Sequence, residues 1–148
     1  MRSCVLLISL TLSFLSAKGQ ATNDSLSIRA VLDKEAATWR SGDVKGHADC
    51  WQVRPYSRIL VSLADGRSLD VAPSLMVNPP ATMTGGGGSA KLTNVKMSIH
   101  GSSAWVSHDE ESITKAGVST FSREIRLLEK VNGQWKLVGQ STHIYKPE

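Results

Sequence analysis

Cysteine is nearly absent from this 148-residue chain. Cys4 lies in an N-terminal apolar pattern and Cys50 stands alone in the remainder. No intrachain disulfide is therefore available, and the fold must rest on its apolar core. Runs of Lys or Arg are also missing, as is any basic stripe with interleaved aromatics, which argues against nucleic acid as a partner. No apolar run is long enough to span a bilayer, so no stable membrane anchor is expected. The histidines His47, His100, His108 and His143 fall at no spacing that completes a metal site. Neither a metal nor another cofactor is expected. The glycine run Gly85 to Gly88 leads into a strand rather than a helix. It reads as a mobile loop, not a phosphate cradle.

What is present begins with Arg2, an apolar run from Val5 to Leu15, and the small residues Ser16, Ala17 and Gly19. That is the three-part pattern of a secretory signal peptide, with cleavage expected after Gly19. No cysteine ends the apolar run, so lipidation is not expected. Residues 20–148 then form one domain, secreted or periplasmic, of a size that can bury a core. Losing Arg2 and Lys18 reduces the 17 basic residues to 15 against 13 acidic ones, so the mature net charge is only +2.

Ile28, Val31, Leu32, Ala36 and Trp39 recur at helical spacing, with Arg29, Asp33, Lys34 and Arg40 assigned to the solvent side. Ser41-Gly42 ends that helix, and Asp43 can cap a second short one through Val44, Ala48 and Trp51. Ser57 to Leu63 reads as a strand, Leu69 to Val77 as a short helix stopped by Pro79-Pro80. Leu92 to His100, Ala104 to Ile113, and two runs flanking Asn132-Gly133 complete four antiparallel strands. Helices first and strands last argue an α+β domain with helices on one face of a curved sheet.

The terminal hairpin decides the faces. Asn132-Gly133 suits a two-residue turn, which would put Trp135 beside Lys130, Leu128, Arg126 and Glu124. A three-residue loop, Val131 to Gly133, instead groups Phe121, Ile125, Leu127, Trp135 and Leu137 on one face. Glu124, Arg126, Gln140 and Thr142 then share the other. The second register separates apolar from polar better and is the one preferred. The apolar face needs a cover, for which a second subunit is the simplest choice.

Three segments carry a resemblance. They are the helix ending Trp39-Arg40-Ser41-Gly42-Asp43, the stretch Gly101 to Val106 (GSSAWV), and Val131 to Val138 (VNGQWKLV). In this order and spacing the chain resembles the nuclear transport factor 2-like superfamily, also called SnoaL-like or cystatin-like. The resemblance implies a cone, in which a bent antiparallel sheet wraps N-terminal helices. A pocket opens at the wide end, and the outer sheet face often makes a dimer. It also implies that Arg126 stands where related hub domains place a pocket arginine. Similar domains often carry His-x-His after the tryptophan, where this chain has Gly139 and Ser141. Function varies widely across such folds, from isomerases and cyclases to transport adaptors.

The chemistry on offer is modest. His108 with Glu110, or Asp109 with Glu111, share a strand face, which makes two ligands and not three. Asp109, Glu110 and Glu124 are the carboxylates that desolvation could turn into acids or bases, with His108 a further candidate base. Glu124 and Arg126 read first as a structural ion pair. Trp51 and Tyr56 flank Pro55 and are expected as pocket walls, together with Glu124, Arg126, Gln140 and Thr142. The expected role is binding of a small, partly apolar molecule in the cone. An isomerase, cyclase or dehydratase using Asp109 or Glu124 is the alternative, and an interaction module without a ligand is a third.

Overall fold

A computed structural model describes residues 4–147, with side chains described from Asn23 onward. The signal-peptide reading of residues 1–19 therefore lies outside the side chains described. Helix α1 spans Cys4–Ser41. Its inward stripe is set by Ile28, Leu32 and Ala36, spaced by four and all buried. Gly42, at φ 78°, ends it in the left-handed conformation, while Asp43 N–H donates to Thr38 O at 3.0 Å. Asp43 then caps α2, Val44–Ala48, by accepting from Gly46 N–H at 2.8 Å.

Six strands follow: β1 Ile59–Ser62, β2 Ser68–Val71, β3 Ser89–His100, β4 Ser103–Ile113, β5 Ser119–Val131 and β6 Gln134–Tyr145. They form one curved, unclosed sheet in the order β2-β1-β6-β5-β4-β3. The expected all-antiparallel sheet is corrected at one seam: β1 runs parallel to β6, with Ile59 opposite Gln140. The segment expected as a helix from Leu69 is instead strand β2, paired with β1, followed by a single 3-10 turn at Pro73–Met76. Pro73 opens that turn because its fixed φ suits a first helical position and it needs no donor there.

The β5–β6 turn corrects the preferred register. Val131 pairs with Gln134, and Asn132 and Gly133 have φ of 50° and 79°. This is the two-residue turn, which needs positive φ at both central positions. Leu128 then faces Leu137 while Leu127 faces Gly139, so Val138 is an extra residue, a β-bulge. Before the bulge, Trp135 and Leu137 point inward; after it, Gln140, Thr142 and Ile144 do. Trp135 and Leu137 are consequently core residues, not members of an outer face. Phe121, Ile125 and Leu127 alternate with the inward-pointing Ser122, Glu124, Arg126 and Leu128 on β5.

The hairpin end closes the core against α1. Asp24 on α1 accepts from Trp135 Nε1 at 3.1 Å and from Lys130 Nζ at 2.5 Å. Trp51 joins the same side, bridged in parallel to Leu137 through Gln52 N–H to Leu137 O and Leu137 N–H to Cys50 O, each 2.8 Å.

The glycine run is tied down at two points rather than loose. Gly85 N–H donates to Trp39 O at 3.0 Å and Gly87 N–H to Arg40 O at 2.8 Å, which satisfies two carbonyls at the end of α1. Gly88 has φ 84°, and a Cβ there would lie 1.9 Å from Ile113 O. Gly88→Ala should therefore cost about 1–3 kcal/mol or more. Gly86→Ala, which meets open space, should cost far less. Thermal unfolding of the two variants side by side checks the difference.

Candidate functional site

A cavity of about 520 Å³, open to solvent, lies between α1, the concave side of the sheet and the glycine run. Its apolar walls come from Trp39 on α1, Ile59 and Val61 on β1, Met76 and Ile144. Its polar side is built by residues two apart on neighbouring strands, which therefore share a face. Glu124 and Arg126 come from β5, Gln140 and Thr142 from β6, Glu110 from β4, and α1 adds Glu35 and Arg40.

These groups form one buried charge network. Arg126 Nη2 lies 2.5 Å from Glu124 Oε2, and Arg126 Nη1 lies 3.5 Å from Glu35 Oε1 and donates to Gln140 Oε1. Ser122 Oγ donates to Glu124 Oε1 at 2.8 Å. Arg40 Nη2 donates to Glu110 Oε1 at 2.7 Å and to Ser112 Oγ at 2.8 Å. His47, fully buried on α2, contacts Met76 O at 2.8 Å through Nδ1 and Glu35 Oε1 at 3.2 Å through Nε2.

Burial opposes ionisation of Glu35, but Arg126 and His47 outweigh it and bring its carboxyl from 4.5 down to about 2. Burial pushes Glu110 above its ordinary 4.5, with the Glu124 charge adding to the effect and Arg40 opposing it. Burial, with Arg126 beside it, holds His108 below its ordinary 6.5. The signs set an acid profile. A buried neutral histidine withholds a proton that the unfolded chain takes up, so stability should begin to fall as pH drops below 6.5. Glu35 contributes stability that is present above 4.5 and lost as pH falls toward about 2. Glu110 acts in the opposite sense and offsets part of this. The midpoint of thermal unfolding, followed from pH 7.5 downward, should fall in these two stages. Glu35→Gln should flatten the lower stage only.

The structure brings Glu124, Arg126, Gln140 and Thr142 together in the cavity lining. It places Trp51 and Tyr56 elsewhere, correcting their assignment as pocket walls. Trp51 is buried in the core beside Leu137, because the chain after α2 turns toward the β6 hairpin end. Tyr56 is 65% exposed, and its hydroxyl donates to Glu129 Oε1. Asp109 points away from the cavity between two inward residues of β4, and Asn94 Nδ2 donates to it at 2.5 Å. It cannot serve as a cavity acid or base. Cys50 is buried, with its thiol pushed up to about 11 by burial. It is an unreactive packing residue.

His108 and Glu110 do share the inner face, and Glu124, directly opposite His108 on β5, supplies the third donor that β4 alone lacks. Their ligand atoms lie within 4.8 Å of one another. Each carboxylate of this trio already carries an arginine, Arg40 on Glu110 and Arg126 on Glu124. A dication there would have to displace or repel both guanidinium groups, so the donor set suits a salt-bridge network better than a metal. Glu35 and Arg40 were not among the expected site residues. The available signal was Glu35 on the same helical face as Ile28 and Leu32, a charge set within the apolar stripe of α1.

Against known proteins, no family model matches the chain, and no curated protein sequence matches it. Solved structures do. One is a nuclear transport factor 2-like protein with a cystatin-like fold from Novosphingobium aromaticivorans, with a TM-score of 0.67 at 13% identity over 93% of this chain and 92% of that one. A protein of unknown function from Mycobacterium tuberculosis matches with a TM-score of 0.64 at 18% identity, covering 87% of this chain and 76% of that one. A putative Ca/calmodulin-dependent kinase II association domain from Exiguobacterium sibiricum matches with a TM-score of 0.60 at 13% identity, covering 84% and 95%. The chain has the nuclear transport factor 2-like, cystatin-like α+β cone fold.

Proposed function

We propose that this domain binds a small, partly apolar molecule in the cone and that it does so outside the cytoplasm, after signal-peptide cleavage near Gly19. The observation that carries the reading is an open cavity of about 520 Å³ with apolar walls. Its charged residues are already engaged by opposite charges. Such a site offers burial for an apolar body and fixed polar groups for orientation. Nile red, an uncharged probe, should bind the folded protein with enhanced fluorescence. Thr142→Trp, which fills the cavity, should abolish that signal while circular dichroism stays native. Uptake unaffected by Thr142→Trp would place the binding outside the cone.

An acid–base enzyme is the second reading, and one residue favours it. Glu110 lines the cavity and burial pushes its carboxyl upward, the shift a general acid needs. Its contact with Arg40 works against that role.

The outer face supports a homodimer. Trp105 and Leu127 are opposite one another in register, with Ile125 beside them, and the three are 44%, 47% and 43% exposed. The pair would be isologous, sheet against sheet. Native mass spectrometry should show a dimer at micromolar concentration, and Leu127→Asp a monomer.

A further inference from the structure

We propose that the ligand of the cone is uncharged, a molecule of the alcohol, ketone or ester class rather than a carboxylic acid or an amine. This rests on the binding reading above and narrows it. Around the polar side of the cavity Glu35, Glu110 and Glu124 each already face a guanidinium, of Arg126 or Arg40, and Glu35 also faces the His47 ring. The set closes on itself before any ligand enters.

An anionic ligand would need a guanidinium, and neither is free. Arg126 is committed to Glu35, Glu124 and Gln140. Arg40 is committed to Glu110, Ser112 and the Ala36 carbonyl. Drawing either one away would strand a buried carboxylate. A cationic ligand would need a carboxylate, and each of the three already holds a positive partner. An ion of either sign would enter a desolvated place without a free counter-charge to meet it. What remains to greet a ligand is neutral: the hydroxyls of Ser112, Thr120 and Thr142 and the amide of Gln140. One buried atom of the lining, Arg126 Nε, has no hydrogen-bond partner among the described residues. Its N–H can donate to the oxygen of a neutral alcohol, ketone or ester.

A matched series tests this. Nile red bound to the folded protein is displaced at pH 7 with 4-phenylbutan-1-ol, 4-phenylbutyrate and 4-phenylbutylammonium, which share one apolar body. The alcohol should displace the dye at a concentration at least about tenfold lower than either ion. Equal or better displacement by the acid or the amine overturns the proposal while leaving the binding reading intact. Failure of the protein to take up Nile red, together with no effect of the series on thermal unfolding, sinks the binding reading and this inference with it. Glu124→Gln takes from Arg126 one of its two carboxylates, so in that variant the acid should gain on the alcohol by several-fold. The wild-type comparison decides the matter even if the variant does not fold.

Discussion

Arg126→Ala should lower the folding free energy by about 3–5 kcal/mol. The side chain is enclosed, and its two terminal nitrogens serve Glu124 and Glu35 from different elements, β5 and α1. Removing it leaves two buried carboxylates with their desolvation cost and without their main counter-charge. Coulomb repulsion between them then adds to that cost. For a domain of this size the loss corresponds to a fall of at least about 10 °C in the unfolding midpoint. The informative comparison is the pair Glu124→Gln and Arg126→Gln made together. Removing both ends of a buried ion pair costs much less than removing one, so the double variant should recover part of the stability. Strictly additive losses would show that Glu124 and Arg126 do not act on each other, and the network described here would be wrong.

Trp135→Ala should cost about 3–5 kcal/mol, and Leu127→Ala about 0.5 kcal/mol or less within a subunit. Both residues were expected on one outer face. The two-residue turn with its bulge separates them: Trp135 is buried and tied to Asp24 by its indole N–H, while Leu127 faces outward. Truncating Trp135 opens a void at the place where the hairpin closes on α1 and also leaves Asp24 with one donor fewer. Truncating Leu127 trims an exposed surface. Urea unfolding of the two variants measures the contrast directly. Equal costs, or the larger cost at Leu127, would restore the three-residue register.

Much of the cone was legible because its signals are local. The end of α1 at Gly42, the Asp43 cap and the positive-φ pair Asn132-Gly133 each depend on a few neighbouring residues. The grouping of Glu124, Arg126, Gln140 and Thr142 came with the three-residue register; the chain makes the two-residue turn, and the extra residue Val138 returns those four to one face. What escaped was either non-local or a break in alternation. Nothing near Val138 announces a bulge, since Val suits a strand with or without one. The parallel seam between β1 and β6 joins segments about eighty residues apart, and no local pattern encodes it. Trp51 and Tyr56 were placed by their nearness to Pro55 in the chain, and neither lines the cavity. Glu35 and Arg40 belong to the site because α1 crosses the concave side of the sheet, a tertiary fact that the helical stripe only hinted at through one misplaced charge.

Val138 gives β6 two frames along a single strand. In the first frame odd-numbered residues face inward and plug the narrow end; in the second the even-numbered ones do, and they dress the cavity. The frames communicate only through that one extra residue. Substitutions at Gln140, Thr142 or Ile144 can therefore diversify what the cone accepts without touching the plug. The plug residues Trp135 and Leu137 can be exchanged for other large apolar ones without re-aiming the wall. Deleting Val138 would leave Leu137, Gly139 and Gln140 in plain alternation with plug and wall both still inward, whereas pairing Val138 into the ladder would turn Gln140, Thr142 and Ile144 outward.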